Sequence, residues 1–474
     1  MTGEGLERPL LIRGGRVVTM VDGTAEHAVD LLVRNGRIAA IGPALAADDA
    51  DILDARGMIV LPGFVDAHRH VWQTQLRTVA TDWSLFNYFT QMRLIYAAFY
   101  QPDDVYLGNL IGALEALNAG ITTIVDHCHI LHSPEHTDEA IRGLDDSGIR
   151  GLFCYGLFAT PSYASGPVAP SLPPDWRRTD AQRIRQGRFA DNTGRLRMGF
   201  APAEIDAHPY ATNVDEIVFA RSLGAARISC HVAMGAYDTG SRFVEQLGRD
   251  GLLAEDLLFV HGSALTDGEL AFLRDHGAGI VATPETELQM GMGFPVAIRA
   301  RDAGVRTALG IDIVSNYAGD MFAQMRLCLQ AARALENQAA AAREEAPRTL
   351  RVKAADVLRL ATVGGAEALG MAAQIGSLAV GKAADVVVVR TDAIHLTPAP
   401  DAVGAVVLNA HATDVDTVVV GGRVVKRGGR LVGVDWPALA ARLQQSSARI
   451  RAGFPTVDLA GIEAMMAGVM ARVR

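Results

Sequence analysis

The chain has 474 residues, of which 49% are hydrophobic and 20% are charged, and its formal net charge is −9. This length and composition are typical of a globular protein with more than one core, and they exclude a disordered chain. The acidic balance argues against nucleic acid or an anionic membrane as a partner, and no apolar run approaches the length of a membrane span. The four cysteines form no CxxC pair and the N-terminus has no signal-peptide pattern, so we expect a protein of the reducing cytoplasm.

Both ends of the chain predict β-structure. Residues 1–61 contain β-branched and apolar runs interrupted by Gly and Asn-Gly, as in "VDLLVRNGRIAAIG". Residues 379–434 repeat this pattern in "KAADVVVVRT" and "DTVVVGGRVVKRGGRLVG". Two end segments of one kind predict a small β-sandwich domain that is built from both termini and closed around an insertion. The remaining residues, 435–474, are expected to form a helical tail.

The insertion, residues 62–378, alternates short apolar strands with helical stretches. Eight strand candidates occur, beginning with "IVLPGFVDAHRH" and ending with "VRTALGID". This alternation implies parallel strands, and eight such units predict an α/β fold of the (β/α)8 TIM-barrel type, whose chemistry lies at the carboxyl ends of the strands. A stretch rich in Pro and Ser, residues 159–176, follows the third strand and is either a cover for the pocket or a surface excursion.

Five polar residues stand at predicted strand ends. His68 and His70 close the first strand and, being two residues apart, point to the same side of it. His231 ends the fifth strand, His261 the sixth and Asp312 the eighth. Because the strand ends of a barrel meet at one face, we expect these side chains to gather in its mouth.

Three histidines and a carboxylate are the ligands that zinc or ferrous iron prefers, with an open position for water. A metal in such a site lowers the pKa of water and polarises the bond under attack. Asp312 is placed to serve both as a ligand and as the base that takes the proton of the water. His261 is then either a fourth nitrogen ligand or a donor to the developing oxyanion.

The sequence resembles the amidohydrolase superfamily over nearly its whole length. The resemblance rests on "PGFVDAHRH", "GITTIVDH", "LGIDIVSNYAGDMFAQMRL" and the return to the β-domain in "IGSLAVGKAADVVVV". The most similar branch contains the cytosine and guanine deaminases and the triazine hydrolases, which use one metal ion. The resemblance implies that His68, His70, His231 and Asp312 bind one divalent ion per chain, zinc in preference to iron, and that His261 assists at the substrate.

The chain departs from its relatives at two positions. Dinuclear members carry a carboxylated lysine on the fourth strand, whereas "RMGFAPAEIDAHP" contains none. One ion is therefore favoured, and Glu204 is the residue that would bridge a second. Deaminases of this branch also carry a glutamate three residues after the strand-five histidine, which brings a proton to the ring nitrogen. Met234 occupies that position here, and a thioether cannot carry a proton.

Two pairs of residues are candidates to replace the missing glutamate as proton carrier. Glu285 and Glu287 follow the seventh strand and would share one face if the strand extended that far; the alternatives are a solvated loop or a helix start. One of them would carry the proton or bind a cationic amine. His127 and His129 end the second strand, where we favour one lining the pocket as a hydrogen-bond donor and the other pairing structurally over a second metal pair.

Three further substrate contacts are predicted in loops, namely Gln73, Trp83 and Asn316. Packing on the barrel is the alternative for Gln73 and Trp83, and orientation of Asp312 is the alternative for Asn316. Met290 and Met292 are assigned to packing.

The leading prediction is a metal-dependent hydrolase that cleaves a C–N bond of a small aromatic or heterocyclic compound with metal-activated water. The missing glutamate favours an amide-like bond, for which ring protonation is not required. One alternative is an aminoheterocycle deaminase or a dehalogenating triazine-type hydrolase with Glu285 or Glu287 as the proton carrier. The alternative of another class, a non-catalytic scaffold, is disfavoured because all four ligand positions are filled. The partner is a small molecule, and we expect a homo-oligomer, most simply a dimer.

Overall fold

The computed structural model describes residues 8–21, 26–158, 172–173 and 175–469, and the predicted loop 159–176 falls mostly outside them. Within these ranges no helix is both long enough and apolar enough to cross a membrane. The strands form two sheets, one of eight strands and one of nine.

In chain order the strands are β1 (Leu10–Val17), β2 (His27–Arg34), β3 (Arg37–Gly42), β4 (Asp51–Asp54), β5 (Ile59–Pro62), β6 (Phe64–Arg69), β7 (Ile121–Cys128), β8 (Arg150–Gly156), β9 (Leu196–Ala201), β10 (Ile228–Val232), β11 (Leu257–His261), β12 (Gly279–Ala282), β13 (Arg306–Leu309), β14 (Val386–Val389), β15 (Val415–Val420), β16 (Arg423–Arg427) and β17 (Arg430–Leu431).

The α-helices are α1 (Leu85–Asn87), α2 (Pro102–Asn118), α3 (Pro134–Ser147), α4 (Trp176–Gln186), α5 (Tyr210–Ser222), α6 (Phe243–Arg249), α7 (Asp267–His276), α8 (Pro284–Gln289), α9 (Ala297–Asp302), α10 (Met321–Ala341), α11 (Ala354–Arg359), α12 (Gly365–Ala368), α13 (Ala402–Gly404), α14 (Trp436–Gly453) and α15 (Leu459–Val469).

The strands β6 to β13 form the barrel in chain order, each parallel to the next. A parallel bridge between Arg69 and Asp312 joins the carboxyl ends of the first and last of them. Almost every residue of these strands is buried, as expected for parallel strands covered by helices. The predicted (β/α)8 barrel is confirmed.

The nine-stranded sheet is built from both ends of the chain. Its order is β17-β16-β15-β14-β5-β1-β2-β3, and β4 pairs with β1. The two chain ends meet where β14 lies antiparallel to β5, with Val387 opposite Leu61. The prediction that both termini build one small β-domain is therefore confirmed.

The C-terminal helices lie against the segment that follows β6. Ile462 on α15 packs in one apolar cluster with Leu94 and Ile95. These two residues directly follow a π-helical turn, Tyr88–Arg93. The tail therefore supports a segment that reaches the mouth of the barrel.

Lys426 on β16 has a buried side chain whose charge affects the stability of the fold. It is 1% exposed, and its ammonium donates to the carbonyl oxygen of Asn118 at 2.6 Å. Burial lowers the pKa of Lys426 from 10.5 to about 8. Between these values the unfolded chain binds more protons than the folded one, so this residue makes stability rise with pH across that window and destabilises the fold below it.

We therefore expect Lys426→Met to raise the melting temperature by a few degrees at about pH 7.5. The difference from the wild type should shrink at about pH 10, where the folded lysine is already neutral. Thermal unfolding of both proteins at the two pH values measures this. A difference that stays constant would show that the charge is not its cause.

Candidate active site

The carboxyl ends of the barrel strands bring four side chains together. Nε2 of His68 lies 3.3 Å from Nε2 of His231 and 3.4 Å from Oδ1 of Asp312. Nε2 of His70 lies 3.4 Å from the same oxygen. All four side chains are buried. The donor atoms of His68, His70 and Asp312 lie within 4.8 Å of one another, and those of His68, His231 and His127 form a second such group. His231 therefore joins the predicted ligands through His68, with His127 beside it as a further candidate donor.

The three short separations match those between donors around a metal ion. Zinc bonds to nitrogen and oxygen are about 2.0–2.1 Å long, so the donors around a tetrahedral ion lie about 3.3–3.4 Å apart. Burial lowers the pKa of His68 to about 4 and that of His70 well below its usual range. Both rings are therefore neutral at physiological pH, and their lone pairs are available to a cation.

In His70 and His231 the other ring nitrogen, Nδ1, has a hydrogen-bond partner that fixes the orientation of the ring. Nδ1 of His70 donates to the carbonyl oxygen of His127 at 2.8 Å, and Nδ1 of His231 donates to Oε2 of Glu204 at 2.9 Å. Such partners select the tautomer that leaves Nε2 free for a metal. Oε1 of Glu204 accepts from Nη1 of Arg93 at 2.9 Å. Glu204, considered in the sequence as a bridge to a second ion, thus has both oxygens engaged.

The backbone at two strand ends is strained. His261 has a φ of 71° and Asp312 a φ of 69°, in the left-handed region that non-glycine residues rarely adopt. Such strain is concentrated at functional sites. Gly310 allows the last strand to approach the first, because a Cβ there would lie 2.8 Å from the carbonyl oxygen of His68. The local backbone therefore serves to turn these side chains inward.

His261 lies beside the four donors and contacts the buried carboxylate of Glu287. Its Nδ1 lies 3.1 Å from Oγ1 of Thr283 and 3.4 Å from Oε1 of Glu287, and that oxygen also accepts from the backbone N–H of Thr283 at 2.8 Å. Burial alone would lower the pKa of His261, but the hydrogen bond to Glu287 and the charge of Asp312 outweigh it and raise the pKa. The arrangement leaves Nε2 of His261 for the cavity.

Glu285 and Glu287 lie at a helix start, which was the alternative to a shared face on an extended strand. Strand β12 ends at Ala282, and Pro284 opens α8, because proline has a φ suited to the first turn of a helix. Residues two apart on a helix point about 200° apart. Glu285 therefore turns away from His261, and its Oε2 accepts from Nε2 of Gln324 at 2.8 Å.

A narrow cavity of about 20 Å³, the space of about one water molecule, lies beside the donor atoms. Besides His70, His231, His261 and Asp312, its lining consists of Leu85, Tyr88, Phe89, Arg93, Glu204, Met234, Thr286, Met290, Met292 and Ile313. Seven of the fourteen lining residues are apolar or aromatic, and the other seven bring polar or charged groups to the wall. The cavity has room for a water molecule, so side chains of the wall must move apart to admit an organic substrate.

Sequence reasoning missed part of this wall. Met290 and Met292 were assigned to packing, and Arg93 received no role. Arg93 ends the π-helical turn Tyr88–Arg93, an irregularity that often marks functional sites. A single arginine in an aromatic loop gave no signal in the sequence.

The three predicted loop contacts lie outside the cavity wall. Nε2 of Gln73 donates to the hydroxyl of Tyr88 at 2.6 Å, so Gln73 supports the wall from behind. Trp83 stacks on Tyr96 with ring centroids 6.4 Å apart. Asn316 has both amide atoms buried, and within the described ranges neither has a hydrogen-bond partner.

His127 and His129 stack on the ligand rings and are not part of the cavity wall. His127 lies on His231 with ring centroids 4.4 Å apart, and its Nδ1 is 3.1 Å from Oγ of Ser229. His129 lies on His70 at 4.0 Å, and its Nδ1 accepts from Nε1 of Trp72 at 3.2 Å. His129 therefore packs behind His70. A ring nitrogen of His127, in contrast, lies within 4.8 Å of donor atoms of His68 and His231, and its buried Nε2 has no hydrogen-bond partner among the described residues.

Residues 59–425 match the model of the amidohydrolase family. The chain belongs to this family. A 5-methylthioadenosine/S-adenosylhomocysteine deaminase of Desulforudis audaxviator is 29% identical over 448 residues, which cover 93% of this chain and 99% of the relative. The protein of the same description from Syntrophobacter fumaroxidans is 30% identical over 406 residues, covering 84% of this chain and 87% of the relative.

Solved structures agree with this assignment. An adenosine deaminase of Xanthomonas campestris with bound zinc has a TM-score of 0.80 and 27% identity, covering 94% of this amidohydrolase and 98% of that chain. The atrazine chlorohydrolase of Arthrobacter aurescens TC1 complexed with zinc has a TM-score of 0.78 and 22% identity, covering 92% and 100%, and it shares the fold.

This amidohydrolase is a metal-dependent enzyme that hydrolyses C–N bonds. The predicted reaction class is confirmed by the family and its deaminase members. The scaffold alternative is set aside.

Proposed function

We propose that this amidohydrolase is a deaminase of a small planar heterocycle. In this reaction water replaces an exocyclic amino group, so that the ring carbon gains oxygen and the amine leaves as ammonia. The observation that carries the proposal is the contact between the buried carboxylate of Glu287 and the ring of His261. This pair is a candidate proton carrier in a chain that has Met234 in place of the usual glutamate. The deaminase relatives support the proposal.

The metal in the proposal is one zinc ion, held by His68, His70, His231 and Asp312. The three short donor separations support an ion at this place, and the bound zinc of the solved adenosine deaminase supports the choice of metal. His127, whose donor atom lies near those of His68 and His231, is the alternative nitrogen ligand. Engagement of Glu204 by His231 and Arg93 argues against a second ion. A bound ion would activate water and polarise the bond under attack.

The surrounding residues move the protons. Burial alone would raise the pKa of Asp312, but the hydrogen bond to His68 and the charges of the other histidines outweigh it and hold the pKa below its usual range. Asp312 is therefore ionised and can take the proton of the water. His261 can hydrogen-bond the developing charge and give a proton to the leaving nitrogen, while Glu287 holds the ring by its Nδ1.

A second candidate reaction is hydrolysis of a cyclic amide. Met234 favours it, because an amide carbonyl under attack does not require a proton on a ring nitrogen. The two reactions differ in product: deamination releases ammonia and keeps the ring, whereas amide hydrolysis opens the ring and releases none.

Glu287→Gln is the variant that tests the proposal. We expect the zinc-loaded wild type to release ammonia from one or more members of a panel of aminopurines, their nucleosides and aminopyrimidines, including 5′-methylthioadenosine and adenosine. Glu287→Gln should lower kcat by about 10²- to 10⁴-fold, the usual contribution of a positioned acid, because His261 loses its anionic partner. Its zinc content should stay at the wild-type value.

The control for this variant is Glu285→Gln, which removes a carboxylate two residues away that faces Gln324. Turnover of Glu287→Gln near the wild-type rate would refute the role of the pair. Ring opening of a cyclic amide such as dihydrouracil, without ammonia release from any amine, would favour the second candidate.

A further inference from the structure

Arg93 is the one arginine or lysine in the cavity lining given above. It is 5% exposed, and Nη1 donates to Oε1 of Glu204. Within the described ranges this is its only hydrogen bond, so the edge of the guanidinium formed by Nε and Nη2 has no partner, and Nε is fully buried. Six other described arginines also leave a buried N–H without a hydrogen-bond partner. Arg93 differs from them in lining the cavity beside the donor atoms, where a bound ligand can supply the acceptor.

The unpaired edge is held in a fixed position. The guanidinium carbon lies 5.3 Å from the ring centroid of Phe158 and 6.0 Å from that of Phe89. Glu204, which fixes the other side of the guanidinium, also holds Nδ1 of His231 at 2.9 Å. Arg93 is therefore positioned relative to a metal-binding residue before any substrate arrives.

We infer that the Nε–Nη2 edge of Arg93 binds a carboxylate of the substrate, and that the substrate is a carboxylate-bearing heterocycle. The edge offers two parallel N–H groups, the geometry that a carboxylate accepts in bidentate fashion.

This inference rests on the proposed function for the reaction, but its binding step is separate and is measured without turnover. The probes are orotate and uracil, which share a ring and differ by one carboxylate. We expect zinc-loaded wild-type protein to bind orotate about 10- to 100-fold more tightly than uracil in calorimetry. Arg93→Met should remove this preference, and Arg93→Lys, which keeps the charge but not the flat edge, should retain a small part of it.

The matched control is Arg177→Met, which removes an arginine that stacks on Trp176, outside the cavity wall, and should leave the preference unchanged. Thermal unfolding shows whether Arg93→Met is folded. If it is not folded, the affinities of Arg93→Lys for orotate and uracil test the inference instead. The same affinities measured with metal-free wild-type protein distinguish a carboxylate bound by Arg93 from a carboxylate bound by the ion.

Three results would overturn the inference. One is a wild type that shows no preference for orotate, including the case in which neither probe binds at millimolar concentration. Another is a preference for orotate over uracil that persists in Arg93→Met. The third is a preference of the wild type that disappears when only the zinc is removed. Retained carboxylate preference without any ammonia release would count against the proposed reaction and not against Arg93.

Discussion

Replacing Asp312 with Asn is expected to abolish turnover while leaving the barrel folded. Asp312 presents Oδ1 at 3.4 Å to the Nε2 atoms of both His68 and His70, and it is the carboxylate placed to take the proton of the water. Asn keeps the shape and tolerates a φ of 69°, but it is a poor base and a weaker metal ligand. We expect kcat to fall by about 10³-fold or more, and zinc content to fall below that of the wild type.

The control is Asp180→Asn, which removes a buried carboxylate that accepts from Thr137 and Tyr155 away from the cavity. Steady-state ammonia release and metal analysis of both variants separate loss of the site from loss of a buried charge. If Asp312→Asn kept full zinc content and lost less than about tenfold in rate, Asp312 would be neither base nor necessary ligand.

The barrel and the gathering of polar side chains at its mouth were predictable because both depend on local sequence pattern. A short apolar run followed by a helix identifies each strand, and the residue that ends the run lies at the open face of the barrel. His68, His70, His231 and Asp312 all stand at such positions. The resemblance then assigned them to one ion.

The supporting contacts could not be predicted, because each joins residues far apart in the sequence. Glu204 meets His231 from another strand end and Arg93 from a loop more than a hundred residues away. Pro284 started a helix where a strand was considered, and this turned Glu285 away from Glu287. Side-chain partners of this kind depend on tertiary packing, which no local pattern contains.

The segment around Met234 shows why no acid takes the place of the missing glutamate there. Gly235 has a φ of 58°, and a Cβ at this position would lie 1.6 Å from the carbonyl oxygen of Met292. The chain after β10 is thus pressed against the segment that carries Met292, and both methionines line the cavity. The wall here is apolar and closely packed, and in the proposed mechanism the proton comes from the side of His261.

Glu204→Gln is expected to weaken zinc binding by about 10- to 100-fold, the usual cost of losing the partner of a metal-binding histidine. Glu204 accepts from Nδ1 of His231 and from Nη1 of Arg93, each at 2.9 Å. A glutamine can accept with only one of its two terminal atoms, so one of these donors must face an NH₂ group. Chelator competition measures the zinc affinity.

The matched control for this prediction is Glu216→Gln, because Oε2 of Glu216 accepts from the backbone N–H of Ala203, next to Glu204, at 2.7 Å. It alters the support of the same segment without touching His231. Equal zinc affinity in Glu204→Gln and the wild type would mean that His231 is held by its packing alone. A loss confined to Glu204→Gln, with orotate affinity falling alongside it, would show that one carboxylate positions both the metal ligand and Arg93.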